Sequence, residues 1–159
     1  MRILTTFGAL LATQAIAAAQ CQFQSVTATS IGQSCNVGPT GCCMVMARPT
    51  FLIPALDTGT CRLDLGVNAL EGCCGVTVIA RVVVLGDQQL ATPFPQFGRD
   101  CMLHIAPLAV LVATPEVQLP IPPTLPPLTF LAQGAALIQA PFGMNEVMTF
   151  TDGLAITLR

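Results

Sequence analysis

Residues 76–85 read Val76-Thr77-Val78-Ile79-Ala80-Arg81-Val82-Val83-Val84-Leu85. β-Branched side chains dominate this run, and a pleated surface accepts them better than a helix does. Regular alternation puts Val76, Val78, Ala80, Val82 and Val84 on one face and Thr77, Ile79, Arg81, Val83 and Leu85 on the other. Gly86-Asp87 ends the run. The segment is a strand, and the residues on both sides of it read the same way.

Upstream, 23–29 is a short mixed strand, and 31–41 is a Gly/Ser/Asn/Pro loop. Residues 42–47 form a candidate strand ended by Arg48-Pro49. Asp57-Thr58-Gly59 is a turn. Cys61, Leu63 and Leu65 then alternate with Arg62 and Asp64, the period of a half-buried strand. Downstream, Pro93, Pro95 and Gly98 make a loop into a strand at 101–105, followed by short strands at 110–112 and 116–119. Pro120, Pro122, Pro123, Pro126 and Pro127 make an extended crossing, because proline cannot donate to a central ladder. Residues 128–139 form a long strand with Gly134 in its middle, a bulge or a point of close approach. Pro141-Phe142-Gly143 turns the chain. Asp152-Gly153, between strands at 146–151 and 154–158, reads as a tight hairpin turn, with Leu154, Ile156 and Leu158 facing inward. No amphipathic helix of ordinary length follows residue 19. Nine or ten short strands with Gly/Pro turns predict an all-β fold: a disulfide-stapled, jelly-roll-like antiparallel β-sandwich, one domain over 20–159.

The N-terminus reads as a targeting segment. Met1-Arg2 precedes an apolar stretch over 3–19 that closes on Ala17-Ala18-Ala19. This is the layout of a helical secretory signal peptide over residues 1–19, cleaved before Gln20. The stretch is short for a membrane span, and no later run is long enough for one. Cys21 just after it raises lipidation, but Gln20 is a poor residue before a lipidated cysteine.

All eight cysteines lie beyond that segment: Cys21, Cys35, Cys42, Cys43, Cys61, Cys73, Cys74 and Cys101. An even number in an oxidising compartment predicts four disulfides whose connectivity stays open. Neighbouring strand side chains point to opposite faces, so each cysteine of the doublets Cys42-Cys43 and Cys73-Cys74 should have a distant partner. The doublets lack zinc-ligand spacing. No cysteine follows residue 101, so the C-terminal third must hold by packing and strand pairing.

After cleavage the chain carries five arginines, no lysine and eight acidic residues, a formal charge of −3. No basic patch exists to meet nucleic acid. Charged residues make up 9% of the chain and apolar residues 53%, so the surface must itself be rather apolar. That composition points to self-association, or to packing against cell-surface components.

The C-terminal half carries motifs: Gly98-Arg99-Asp100-Cys101-Met102-Leu103, then Leu128-Thr129-Phe130-Leu131-Ala132-Gln133-Gly134, then Thr149-Phe150-Thr151-Asp152-Gly153-Leu154-Ala155-Ile156-Thr157-Leu158. Over 98–159 this resembles a family of uncharacterised secreted bacterial β-sandwich domains with a Gln-Gly and Thr-Asp/Asn-Gly-Leu pattern. The resemblance implies a secreted β-sandwich and brings no catalytic residues. Two cysteine doublets also occur in fungal hydrophobins, but there the order is single, doublet, single, single, doublet, single. Here it is single, single, doublet, single, doublet, single. The likeness is superficial, although a surface-active, self-assembling role stays thinkable.

Catalytic chemistry finds little support. His104 is the single histidine and sits on an alternating strand. No nucleophile elbow is present. The acidic residues are scattered, so no glycosidase pair can be named, and calcium at Asp57, Glu146 or Asp152 stays open without an Asp/Asn cluster of loop type to support it. Sugar recognition is weakened by the lack of Trp and Tyr. Phe51, Phe94, Phe97, Phe130, Phe142 and Phe150 read as core. The expectation is a secreted or cell-surface structural module, not an enzyme, with no cofactor or metal. The alternative is a binding module for an apolar ligand or a protein partner.

Overall fold

The computed structural model of the chain describes residues 21–33, 35, 50–69, 77–96, 101–139 and 146–159. They contain ten strands: β1 Val26–Ser30, β2 Phe51–Asp57, β3 Arg62–Asn68, β4 Thr77–Gly86, β5 Gln89–Pro93, β6 Met102–Ile105, β7 Ala109–Ala113, β8 Glu116–Pro120, β9 Leu128–Gln139 and β10 Glu146–Leu158. All pair antiparallel, in sheets ordered β1-β10-β9-β4-β7, β2-β3-β8 and β5-β6. The fold is all-β, as the sequence predicts. The targeting segment, the strand read at 42–47, the turn at 141–143 and both cysteine doublets lie outside the described residues.

The five-stranded sheet is the middle layer. One of its faces meets the three-stranded sheet. Leu52, Leu63, Leu65, Val67 and Val117 from that sheet are buried against Val83, Ala132, Ala136, Ile138, Ile156 and Leu158. Its other face carries a smaller cluster in which Ala135, Phe150, Val82 and Met148 pack with Cys35, Cys101 and Phe94, beside β5-β6. A central strand covered on both sides reads as a continuous apolar run rather than an alternation. That is why Val82-Val83-Val84-Leu85 is apolar on both faces, whereas Ile79 and Ala80, farther up β4, are exposed. β9 shows it most clearly. Ala132, Ala136 and Ile138 face one cluster and Ala135 the other, and the small residues let both layers approach closely.

Two irregularities correct the alternation read from sequence. In β4, Val78 pairs with Ile138 and Ala80 with Leu137, so Ile79 is an extra residue and the faces switch across it. Val78 therefore joins Val83 and Leu85 at the larger core instead of sharing a face with Val82 and Val84. In β10, Phe150 pairs with Ala135 and Gly153 with Gln133, so Thr151 and Asp152 together oppose Gly134. Thr151-Asp152 is thus a bulge inside one long strand, and Asp152-Gly153 is not a hairpin turn. The inserted residue lets Met148 and Phe150 face the smaller cluster while Leu154, Ile156 and Leu158 face the larger one.

Gly134 is the close-approach point. A Cβ there would lie 2.8 Å from Thr151 Cγ2 and 3.0 Å from Val67 Cγ2. The proline-rich crossing runs from β8 to β9, pinned by Ile121, which is buried and donates its N–H to the Cys61 carbonyl. β2 holds Pro54 because it is an edge strand. Of the phenylalanines read as core, Phe150 is buried and Phe94 stacks on it at 5.7 Å, while Phe130 packs against the larger core. Phe51 is instead exposed, because on β2 it shares the outward face with Ile53 while Leu52 points inward. Phe97 and Phe142 lie outside the described residues.

Candidate functional site

Four of the eight cysteines lie among the described residues, in two disulfides: Cys21–Cys61 and Cys35–Cys101. Both link distant residues, across 40 and 66 positions. Disulfides persist in oxidising surroundings, and the two bonds suit the chain to such an environment. Cys21–Cys61 ties the N-terminal segment to the β2–β3 turn, where Cys61 adopts a left-handed backbone (φ 51°). Cys35–Cys101 is buried against Phe150 of β10. Cys35 also accepts the Phe150 N–H on its sulfur and donates its own N–H to the Phe150 carbonyl. The cysteine-free C-terminal third is therefore held in part by the N-terminal staple lying over it.

His104, the one imidazole, is buried on β6. Its ring lies over Gly32, and its Nε2 is 2.9 Å from the Gln33 carbonyl, an acceptor that calls for the N–H tautomer at that nitrogen. The main-chain N–H of His104 donates to Gln133 Oε1 at 2.8 Å. Gln133 is fully buried, and its Nε2 donates to the carbonyls of Met102 and Thr151, each at 3.0 Å. One side-chain amide thus stands in for a peptide group beside β6 while also tying that strand to the β10 bulge. Thr151 completes the arrangement. Its hydroxyl accepts the Gly134 N–H at 2.8 Å and donates to the Asp152 carbonyl at 2.7 Å. Buried polar groups are costly unless bonded, and these are bonded to the main chain.

The carboxylates considered for calcium lie in different settings. Asp57 Oδ1 accepts the N–H groups of Gly59 and Thr60, and Oδ2 accepts the Thr60 hydroxyl. These bonds, with the Thr60 hydroxyl foremost, hold the Asp57 carboxyl below its ordinary range. Arg62 forks onto Asp64 at 2.7 and 3.1 Å, and that bond raises its pKa. Asp152 accepts the Ser30 hydroxyl at 3.2 Å, and Glu146 is exposed. Among the described residues, no three His, Cys, Asp or Glu converge as a metal would require.

The surface feature that stands out is a sheet edge. β1 and β7 border the five-stranded sheet, and β2 and β8 border the three-stranded one. Exposed edges are usually blunted by charge, proline or polar side chains. β2 has Pro54 at its centre, and β8 starts with Glu116 and ends with Pro120. β1 is mostly Thr and Ser, with Asp152 beside it. β7 has none of these over Leu108-Ala109-Val110-Leu111-Val112-Ala113. Leu108, Val110 and Val112 are 71%, 60% and 72% exposed. An open groove of about 520 Å³ lies here, lined by Leu111 and Val112 of β7 and by Glu116, Val117 and Leu119 of β8. Composition forecasts an apolar surface, and among the described residues its three most exposed large apolar side chains lie at this edge, the others on β2, β4 and β5. The edge itself was not legible, because a strand's place in the sheet order is set by long-range pairing.

No family model, curated protein or solved structure matches this chain.

Proposed function

We propose that this chain is an exported, disulfide-stapled structural module of the cell surface or extracellular space, working through its surfaces rather than through catalysis. The observation that carries this reading is the use made of the buried polar side chains. Gln133 and Thr151 are bonded to main-chain groups of neighbouring strands, and His104 and Thr149 to the carbonyls of Gln33 and Cys35 in the segment after β1. The histidine best suited to acid–base work donates to a carbonyl instead. Export is supported by the layout of residues 1–19, and by disulfides that need an oxidising compartment. The resemblance over 98–159 points the same way.

The test is fractionation of producing cells, with N-terminal sequencing of the recovered chain. The reading requires a product that starts at Gln20, lies outside the cytoplasm and carries no free thiol at Cys21, Cys35, Cys61 or Cys101. A cytoplasmic chain with reduced cysteines would sink it. A second reading, a binding module for an apolar ligand or protein partner, is supported for the protein partner by the exposed Leu108, Val110 and Val112; the groove between β7 and β8, lined by Thr114, Glu116 and Gln118 as well as apolar residues, does not favour an apolar ligand.

A further inference from the structure

We infer that β7 is a self-association edge, through which two copies of this chain join antiparallel and continue the five-stranded sheet across a two-fold axis. The inference rests on the reading of the chain as a structural module, and it names the partner as a second copy.

The backbone makes the first argument. Among the described residues β7 is hydrogen-bonded to β4 on one side only, so there its other side presents main-chain donors and acceptors. Their natural complement is another extended strand. Pro107 and Pro115 bound the stretch, and because Leu108 and Thr114 donate their N–H groups to the carbonyls of Leu85 and Glu116, 109–113 are left to pair. Within this fold the other edge strands are poor matches: Pro54 interrupts β2, Glu116 and Pro120 flank β8, and β1 is polar.

Charge makes the second argument. The stretch 108–114 has no charged residue, so pairing with itself opposes no like charges. The nearest charge in sequence is Glu116. Antiparallel pairing sends the two copies of Glu116 to opposite ends of the ribbon, whereas parallel pairing would set them side by side. Keeping the two like charges apart therefore favours the two-fold arrangement, the commonest symmetry of homo-oligomers.

Side-chain register makes the third argument. Within one copy, Val112 lies opposite Val82 and Val110 opposite Val84. A two-fold centred on Leu111 would set Val112 opposite Val110 of the second copy, and Val110 opposite Val112 of the second copy. The valine ladder begun by β4 and β7 then runs unbroken across the junction, and β-branched cross-strand pairs favour it. Val110 and Val112 are each covered on one flank in the same step. One strand pair buries less than the roughly 800 Å² per partner of a standard interface, so the dimer dissociates on dilution.

Sedimentation velocity of the oxidised chain across the micromolar range tests this. The expected result is a reversible monomer–dimer equilibrium. Val112→Lys, at an exposed position, weakens it by about tenfold or more. Phe51→Lys, which removes another exposed apolar side chain from a different edge, leaves it unchanged. Hydrogen exchange on the wild-type chain supplies a second readout that needs no variant: amides within 109–113 gain protection as concentration rises. A chain that stays monomeric overturns the inference. So does an assembly indifferent to Val112→Lys, or one weakened as much by Phe51→Lys. A monomer recovered outside the cytoplasm would remove the self-association edge and leave the structural-module reading standing.

Discussion

The main-chain N–H of His104 on β6 ends on the side-chain oxygen of Gln133 on β9, 29 residues away and 2.8 Å distant. The same amide binds the carbonyls of Met102 and Thr151. Replacing Gln133 with Leu keeps the volume close but strands a buried donor and two buried acceptors. Each such group costs about 1–3 kcal/mol. Because carbonyls keep a second lone pair, the expected loss is about 3 kcal/mol in total. Urea unfolding of the oxidised variant measures it. Gln118→Leu on β8, where the amide is exposed and meets Glu116, serves as the control and should stay within about 0.5 kcal/mol of the parent. Equal effects at the two sites would mean that the buried amide has no special role.

Gly134 and Gly66 sit in strand interiors and should respond to alanine in opposite ways. At Gly134 a Cβ would press on Thr151 and Val67, where the β10 bulge and β3 close over β9. Overpacking of this kind costs about 1–3 kcal/mol. At Gly66 the nearest atom to a Cβ is the Ile53 carbonyl oxygen at 3.8 Å, ordinary van der Waals contact. Alanine there should be neutral or stabilising by up to about 1 kcal/mol, since a strand glycine gives up more backbone freedom on folding. Thermal unfolding of the two variants decides the point, and destabilisation at Gly66 to match Gly134 would contradict the packing argument.

How much of this was legible follows from where each strand sits. The limits of β9, Leu128–Gln139, can be read directly, and those of β4 to within a residue, because a strand covered on both faces announces itself as an unbroken apolar run. β2 escapes notice. Its Phe51-Leu52-Ile53-Pro54 start has no alternation and includes a proline, which an edge strand tolerates. β5 is equally quiet, and its pairing with β6 adds a third layer that no local pattern announces. Asp152-Gly153 misleads for a different reason. The dipeptide suits both a two-residue turn and a bulge. What decides between them is β9, whose partners on β10 continue on both sides of the irregularity. Gln133 stands out in the sequence as a polar residue inside an apolar strand, but its partners on β6 and β10 become visible only once the register is known.

The two disulfides should differ in access rather than in the loops they close. Separations of 66 and 40 residues give chain-entropy contributions of about 4 kcal/mol each, a difference too small to order them. Burial orders them instead. Cys35 and Cys101 lie within the smaller cluster, whereas Cys21 and Cys61 are partly exposed at the β2–β3 turn. Mild reductant followed by alkylation and peptide mapping should label Cys21 and Cys61 first. Cys35 and Cys101 should become reactive only when denaturant opens the sheet. Simultaneous labelling would mean that the first opening exposes both.

The β2–β3 turn should carry a readable acid response. Asp57 is held below its ordinary pKa of 3.8, chiefly by the Thr60 hydroxyl and then by the Thr60 N–H. The sign follows from that direction. A carboxyl whose folded pKa is depressed contributes its stabilisation above the unfolded value, and loses it as pH falls through the folded one. The turn is therefore at full strength near neutrality and loosens only below the ordinary Asp range. Thr60→Val removes the hydroxyl donor and keeps the backbone ones, so the Asp57 midpoint should move upward while part of the depression remains. Carboxyl-detected NMR titration of parent and variant reads this directly. An Asp57 midpoint unchanged by Thr60→Val would show that the hydroxyl bond contributes nothing, and would leave the Gly59 and Thr60 N–H groups and Arg62 to account for the whole shift.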